Sequence, residues 1–162
     1  MIKQKILRGT PYYLSITGRL NGFAYLMINL PFSCNYRCKK CFNLVNNINL
    51  TKGGVNDKKL FTLIEEAKKI GGKAVVLAGE GEPALNSAFK KIIRKINTLA
   101  MIPIVYSNGS LLNKKIINFL AKNNVSLIIS LDSLSPDFYK ELTGIKNVSV
   151  FYKALDNISQ AR

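Results

Sequence analysis

The sequence predicts an α/β protein whose strands run parallel. Three observations carry that expectation. Four short apolar runs have the length and composition of buried strands. A segment with apolar residues at helical spacing follows each of them. Each run ends in a turn rich in Cys, Gly, Asn or Asp. Strand followed by helix, repeated along the chain, gives parallel βαβ units with right-handed crossovers.

Residues 1–22 form a basic lead-in to a core expected over residues 23–162. Phe23–Leu30 (FAYLMINL) reads as the first strand, with a cysteine-bearing loop directly after it. Asn46–Gly54 is polar and turn-rich. Asn56 or Asp57 caps a helix expected to run to Ile70, with Leu60, Leu63, Ile64 and Ala67 on its apolar face and Gly71-Gly72 at its end. Lys73–Ala78 is the second strand and runs into Gly79-Glu80-Gly81-Glu82-Pro83. The next helix spans Ser87–Leu99, with Phe89, Ile92, Ile93 and Ile96 on one face. Pro103 is expected to interrupt, so that a third strand starts at Ile104, passes Tyr106 and ends at Ser107-Asn108-Gly109. A helix over Asn113–Lys122 leads to the fourth strand, Val125–Leu131, which ends at Asp132-Ser133. Ser135-Pro136 opens a short helix with proline in its first turn. Gly144 breaks it, and Val148–Ile158 reads as the last helix. Parallel sheets bind ligands at the C-terminal ends of their strands, so the four strand-end turns are expected together on one edge.

Composition narrows the chemistry. The chain has 162 residues, nearly half of them apolar, which suits one folded domain. No apolar run reaches the ~18 residues that span a membrane. The basic start lacks the apolar stretch of a secretory signal, so a cytoplasmic location is expected. With 24 Lys and Arg against 9 Asp and Glu, the net charge is +15. The cations are scattered as pairs such as Lys68-Lys69 and Lys114-Lys115, which favours a solvated basic surface over an RNA-binding stripe. The chain has no histidine, which removes Ser-His triads and mixed Cys/His zinc sites.

All three cysteines lie within eight residues, as Cys34-x-x-x-Cys38-x-x-Cys41. An odd, clustered count points to metal rather than disulfides. Structural zinc and ordinary electron-transfer clusters take four protein ligands, and this chain has no fourth Cys and no His. Three thiolates on a short loop instead suit three corners of a 4Fe-4S cluster, with one iron left open. Core cysteines, or a zinc site completed by another subunit, are the alternatives.

The segment CNYRCKKC after a strand resembles the radical S-adenosylmethionine (radical SAM) superfamily. The resemblance implies a partial (β/α) barrel in which Cys34, Cys38 and Cys41 hold the 4Fe-4S cluster. It also implies that S-adenosylmethionine binds the open iron and is cleaved reductively to a 5′-deoxyadenosyl radical. The residue before the third cysteine, often aromatic in the family, is Lys40 here, and Phe42 follows instead. The turn GEGEP resembles the family's GGEP motif, placing Gly81 and Glu82 beside the methionine amino group. Read by itself, it is a turn before a helix, with Glu favoured at the N-terminus. Ser107-Asn108-Gly109 resembles a T-N-G turn, placing Ser107 and Asn108 near the carboxylate or ribose of the cofactor; Asn-Gly is also a common turn. Ser130 and Asp132 alternate and so face one side. Ser130 is a candidate ribose contact, and Asp132 a cofactor or substrate contact or a simple strand-end cap.

The family core has six β/α units, and only about four are legible before Arg162. The chain therefore reads as a truncated core, a minimal version or one piece of a larger assembly. An open edge beside the fourth strand predicts a homo-oligomer or a partner subunit there. The substrate is unread: a peptide, an RNA or a small molecule. The resemblance implies a reductant such as flavodoxin or ferredoxin. The competing expectation is a noncatalytic iron–sulfur and SAM-binding module that works with a partner.

Overall fold

The computed structural model describes residues 23–30, 34–41, 55–79 and 81–159. The lead-in, the segment Asn46–Gly54, Phe42 and Glu80 lie outside the described residues. Among the described residues four strands, β1 (Tyr25–Asn29), β2 (Ala74–Ala78), β3 (Ile102–Ser107) and β4 (Ser126–Ile129), form one sheet in the order β1-β2-β3-β4. Every neighbouring pair is parallel. Sequential order with helical crossovers winds the sheet in one direction, as in a (β/α) barrel, without the reversal of a doubly wound sheet. The architecture is a partial barrel.

Among the described residues there are five α-helices, in chain order α1 (Asp57–Lys69), α2 (Phe89–Thr98), α3 (Lys114–Lys122), α4 (Pro136–Thr143) and α5 (Ser149–Ser159). Their starts are set by local chemistry. The side chains of Asn56 and Asn113 accept from the backbone N–H of Lys59 and Ile116, three residues on. Pro136 occupies the first turn of α4, where its missing N–H costs nothing.

Alternation along each strand separates the two sheet faces. Ile28, Val75, Leu77 and Val105 pack under Leu60 and Ile64 of α1, Phe89, Ile92, Ile93 and Ile96 of α2, and Ile117 and Leu120 of α3. Ala74, Val76 and Ile104 form a separate buried cluster on the other face. Tyr25, Met27 and Tyr106 are exposed. Leu63, expected in the core, is 44% exposed; α1 turns it outward while Leu60, Ile64 and Ala67 face the sheet.

Pro103 does not interrupt β3. It sits inside the strand opposite Val75. The reason is the direction of its missing donor. The N–H of Ile102 points to β2 and bonds the Lys73 carbonyl, so the next residue's N–H would point toward β4. Pairing with β4 begins one residue later, at Ile104 and Ser126. The proline leaves no ladder bond unmade.

The C-terminal helices close over the cysteine loop. The N–H of Arg37 bonds the Thr143 carbonyl and the N–H of Lys39 the Leu142 carbonyl, each at 2.8 Å. Gly144 makes this approach feasible: it caps α4 in the left-handed region at φ 65°, and a Cβ there would lie 2.7 Å from the Arg37 carbonyl oxygen. Gly144→Ala is expected to cost roughly 1–3 kcal/mol of stability, through the positive φ and the clash together. Urea unfolding of the variant beside the wild type measures it.

Candidate functional site

All four strand-end turns meet at the C-terminal edge of the sheet, around one cavity of about 270 Å³. Its wall contains Cys34, Cys38 and Cys41 from the loop after β1, and Gly81 and Glu82 from the turn after β2. Ser107 and Asn108 at the end of β3, and Ser130 and Asp132 after β4, also line it. Every site residue singled out from the sequence lies on this wall. β4 ends at Ile129, so Ser130 and Asp132 belong to the outgoing chain rather than to the strand.

The loop is held by aromatic packing as well as by its bonds to α4. Tyr36 is buried between the first two cysteines and meets Tyr139 of α4 edge-on, with ring centroids 6.2 Å apart. Tyr139 in turn packs on Phe151 of α5 at 4.9 Å. Burial pushes the Cys34 thiol up, opposed by the N–H of Tyr36, which reaches Sγ at 3.4 Å. Cys38 is pushed up to about 11, first by desolvation and then by Cys34, Cys41 and Asp132, with Lys40 opposing. Metal uptake by these sulfurs must therefore release protons. Among the described residues, no three Cys, His, Asp or Glu side chains converge tightly enough to hold a single metal ion.

Glu82 ties the second and third turns together. Its carboxylate is buried and accepts from Ser107 Oγ at 2.9 Å, Asn108 N at 2.8 Å and Ala84 N at 3.3 Å. Ser107 Oγ accepts in turn from Gly109 N at 3.1 Å. The hydrogen-bonding capacity of both side chains is thus directed into the fold. Gly81 contributes backbone. At the opposite wall, Lys40 forms an ion pair with Asp132, bridging the cysteine loop to the chain leaving β4. Lys40 thus has a definite place where the family often carries an aromatic ring.

The model of the radical SAM superfamily matches residues 28–162. The chain belongs to this superfamily. Radical SAM proteins are enzymes, and this chain shares their fold and cysteine motif. It is 34% identical over 146 residues to GTP 3′,8-cyclase of Clostridium perfringens, a match covering 82% of this chain and 43% of that one. The chain therefore spans under half the length of that relative. Among solved structures, Streptococcus suis SuiB bound to its precursor peptide SuiA superposes with a TM-score of 0.69 at 22% identity, covering 93% of this chain and 34% of SuiB. SuiB bound to S-adenosylmethionine gives 0.66 at 22% identity, covering 88% and 33%.

Several wall residues carry no sequence signal. Tyr139 and Thr143 come from α4, which the sequence marks only as a short helix. Tyr106 points into the cavity from β3. Asn157 of α5 is buried and donates to the carbonyls of Gly109 and Ser110, fixing the third turn from behind. A polar residue on an otherwise apolar helix face was the one available hint.

Burial raises the Glu82 carboxyl above its ordinary range, and its three donors only partly offset this. A raised acid binds its proton more tightly when folded. Its contribution to stability is complete below the unfolded value and is lost as pH rises through the folded one. Glu82→Gln is expected to flatten that decline, seen by comparing urea unfolding of variant and wild type from acid to neutral pH.

Proposed function

We propose that this chain forms the cluster- and cofactor-binding part of a radical SAM enzyme, with Cys34, Cys38 and Cys41 as the ligands of a 4Fe-4S cluster. The observation that carries the reading is the meeting of all three thiols, on the loop after β1, with the other three strand-end turns around one cavity. The donor set fits the group, since three soft thiolates suit iron–sulfur ligation and leave one iron for a further ligand. When bound, the reduced cluster supplies the electron that cleaves S-adenosylmethionine to methionine and a 5′-deoxyadenosyl radical.

The protein's own residues bind and orient. The backbone at Gly81 presents carbonyls to an ammonium group. Glu82 and Ser107 hold the second and third turns in register, so their part in cofactor binding is to shape the wall. Ser130 and Asp132 are exposed on the cavity side and offer a hydroxyl and a carboxylate to a ribose or substrate. Tyr36 and Tyr139 cover the inner side of the loop and limit water there. SuiB with bound S-adenosylmethionine supports that cofactor.

For the substrate, the name of the Clostridium relative favours a purine nucleotide, while the SuiB–SuiA complex supports a peptide. A flavodoxin or ferredoxin in the cytoplasm, where thiols stay reduced, is the expected electron donor. Among the described residues β4 is an edge strand, and a second copy or a partner subunit would pair there. Among the described residues no helix is long and apolar enough to cross a membrane.

Anaerobic reconstitution with iron and sulfide, followed by dithionite and S-adenosylmethionine, tests the reading. The expected products are 5′-deoxyadenosine and methionine in equal amounts. Cys34→Ala, Cys38→Ala and Cys41→Ala are each expected to lose both the cluster absorbance and the products. A cluster that binds S-adenosylmethionine without cleaving it would instead support the noncatalytic module.

A further inference from the structure

Asn108 does more than line the cavity. Its backbone N–H is fixed by Glu82, which sets the main chain at the end of β3. Its side-chain oxygen accepts from Ser110 N at 3.0 Å and from Ser110 Oγ at 2.7 Å. Two donors on that atom decide which end of the amide is oxygen, because an NH₂ there would face a backbone N–H. The NH₂ group must then face the cysteine loop. It donates to Asn35 Oδ1 at 3.0 Å and lies 3.9 Å from Cys34 Sγ, within reach of a sulfur hydrogen bond. Asn35 Nδ2 donates back to Ser110 Oγ at 2.7 Å, closing a ring of three side chains. Each member donates to the next, so the ring is fully satisfied and orients the amide. Asn157 steadies the same turn from α5.

Cys34 Sγ thus receives the N–H of Tyr36 and faces the amide of Asn108. No hydrogen bond among the described residues reaches the sulfur of Cys38 or Cys41. We infer that Asn108 is a positioning residue for the Cys34 thiolate, and that its N–H raises the reduction potential of a cluster held there. This rests on the reading of the three cysteines as cluster ligands. The physical reason is charge. Reduction adds one electron to the cluster and its sulfurs, and a fixed N–H dipole aimed at one sulfur stabilises the more negative state. The same amide, spent on Asn35 and Cys34, is not available to a cofactor carboxylate.

The test is an anaerobic dithionite titration of the reconstituted full chain, followed by electron paramagnetic resonance of the reduced cluster. Asn108→Ala is expected to move the midpoint to more negative potential at unchanged iron content. Ser110→Ala, which keeps Asn108 and the backbone donor to its oxygen but removes the hydroxyl that closes the ring, is expected to shift it the same way by less. The double variant is expected to match Asn108→Ala, because the two residues act through one contact. A midpoint unmoved by Asn108→Ala overturns the role of Asn108 alone. Should that variant fail to hold a cluster, an unmoved midpoint in Ser110→Ala overturns it equally. A wild-type chain that takes up no cluster overturns the ligand assignment and the role of Asn108 with it.

Discussion

Parallel strands in sequential order must all end on the same edge of the sheet. The rest of this structure depends on that constraint. Each strand exit delivers a short loop to the rim, and the four loops have nowhere to go but around a shared space. Residues far apart in sequence, such as Cys34 and Asp132, become neighbours without any direct contact between their strands. The helices pack against one face of the sheet, and Ala74, Val76 and Ile104 are buried on the other.

Convergence alone leaves loops loose. Two sets of bonds make them a wall. Glu82 joins the turn after β2 to the turn after β3 with a buried carboxylate, and its desolvation is offset only in part by the donors around it. The cysteine loop is joined to α4 by two backbone bonds and by the Tyr36–Tyr139–Phe151 stack. Both sets bring together segments that lie 25 to more than 100 residues apart in the chain. The Asn35–Ser110–Asn108 ring adds a third tie, between the cysteine loop and the end of β3.

Much of this was legible because it is local. Helix starts at Asn56, Asn113 and Pro136 follow from caps and a proline within a few residues. The strands follow from short apolar runs, and the site from their exits. The misreadings are equally instructive. Pro103 was expected outside β3, because the rule against proline in a strand omits which neighbour its missing donor would face. Leu63 was expected in the core, because a four-residue apolar set does not settle how α1 is rotated on the sheet. Ser130 was expected on β4, which ends one residue earlier.

By itself, the sequence determined the order of elements, the direction of the strands and the set of three thiols without a fourth partner. Those properties depend on residue identity and short spacing, which a single chain displays directly. The tertiary structure alone decided what each side chain faces. It turned Glu82 and Ser107 toward each other, Lys40 toward Asp132, and the amide of Asn108 toward Cys34. Those choices depend on how four loops pack at one rim, and packing joins residues whose separation in sequence carries no signal.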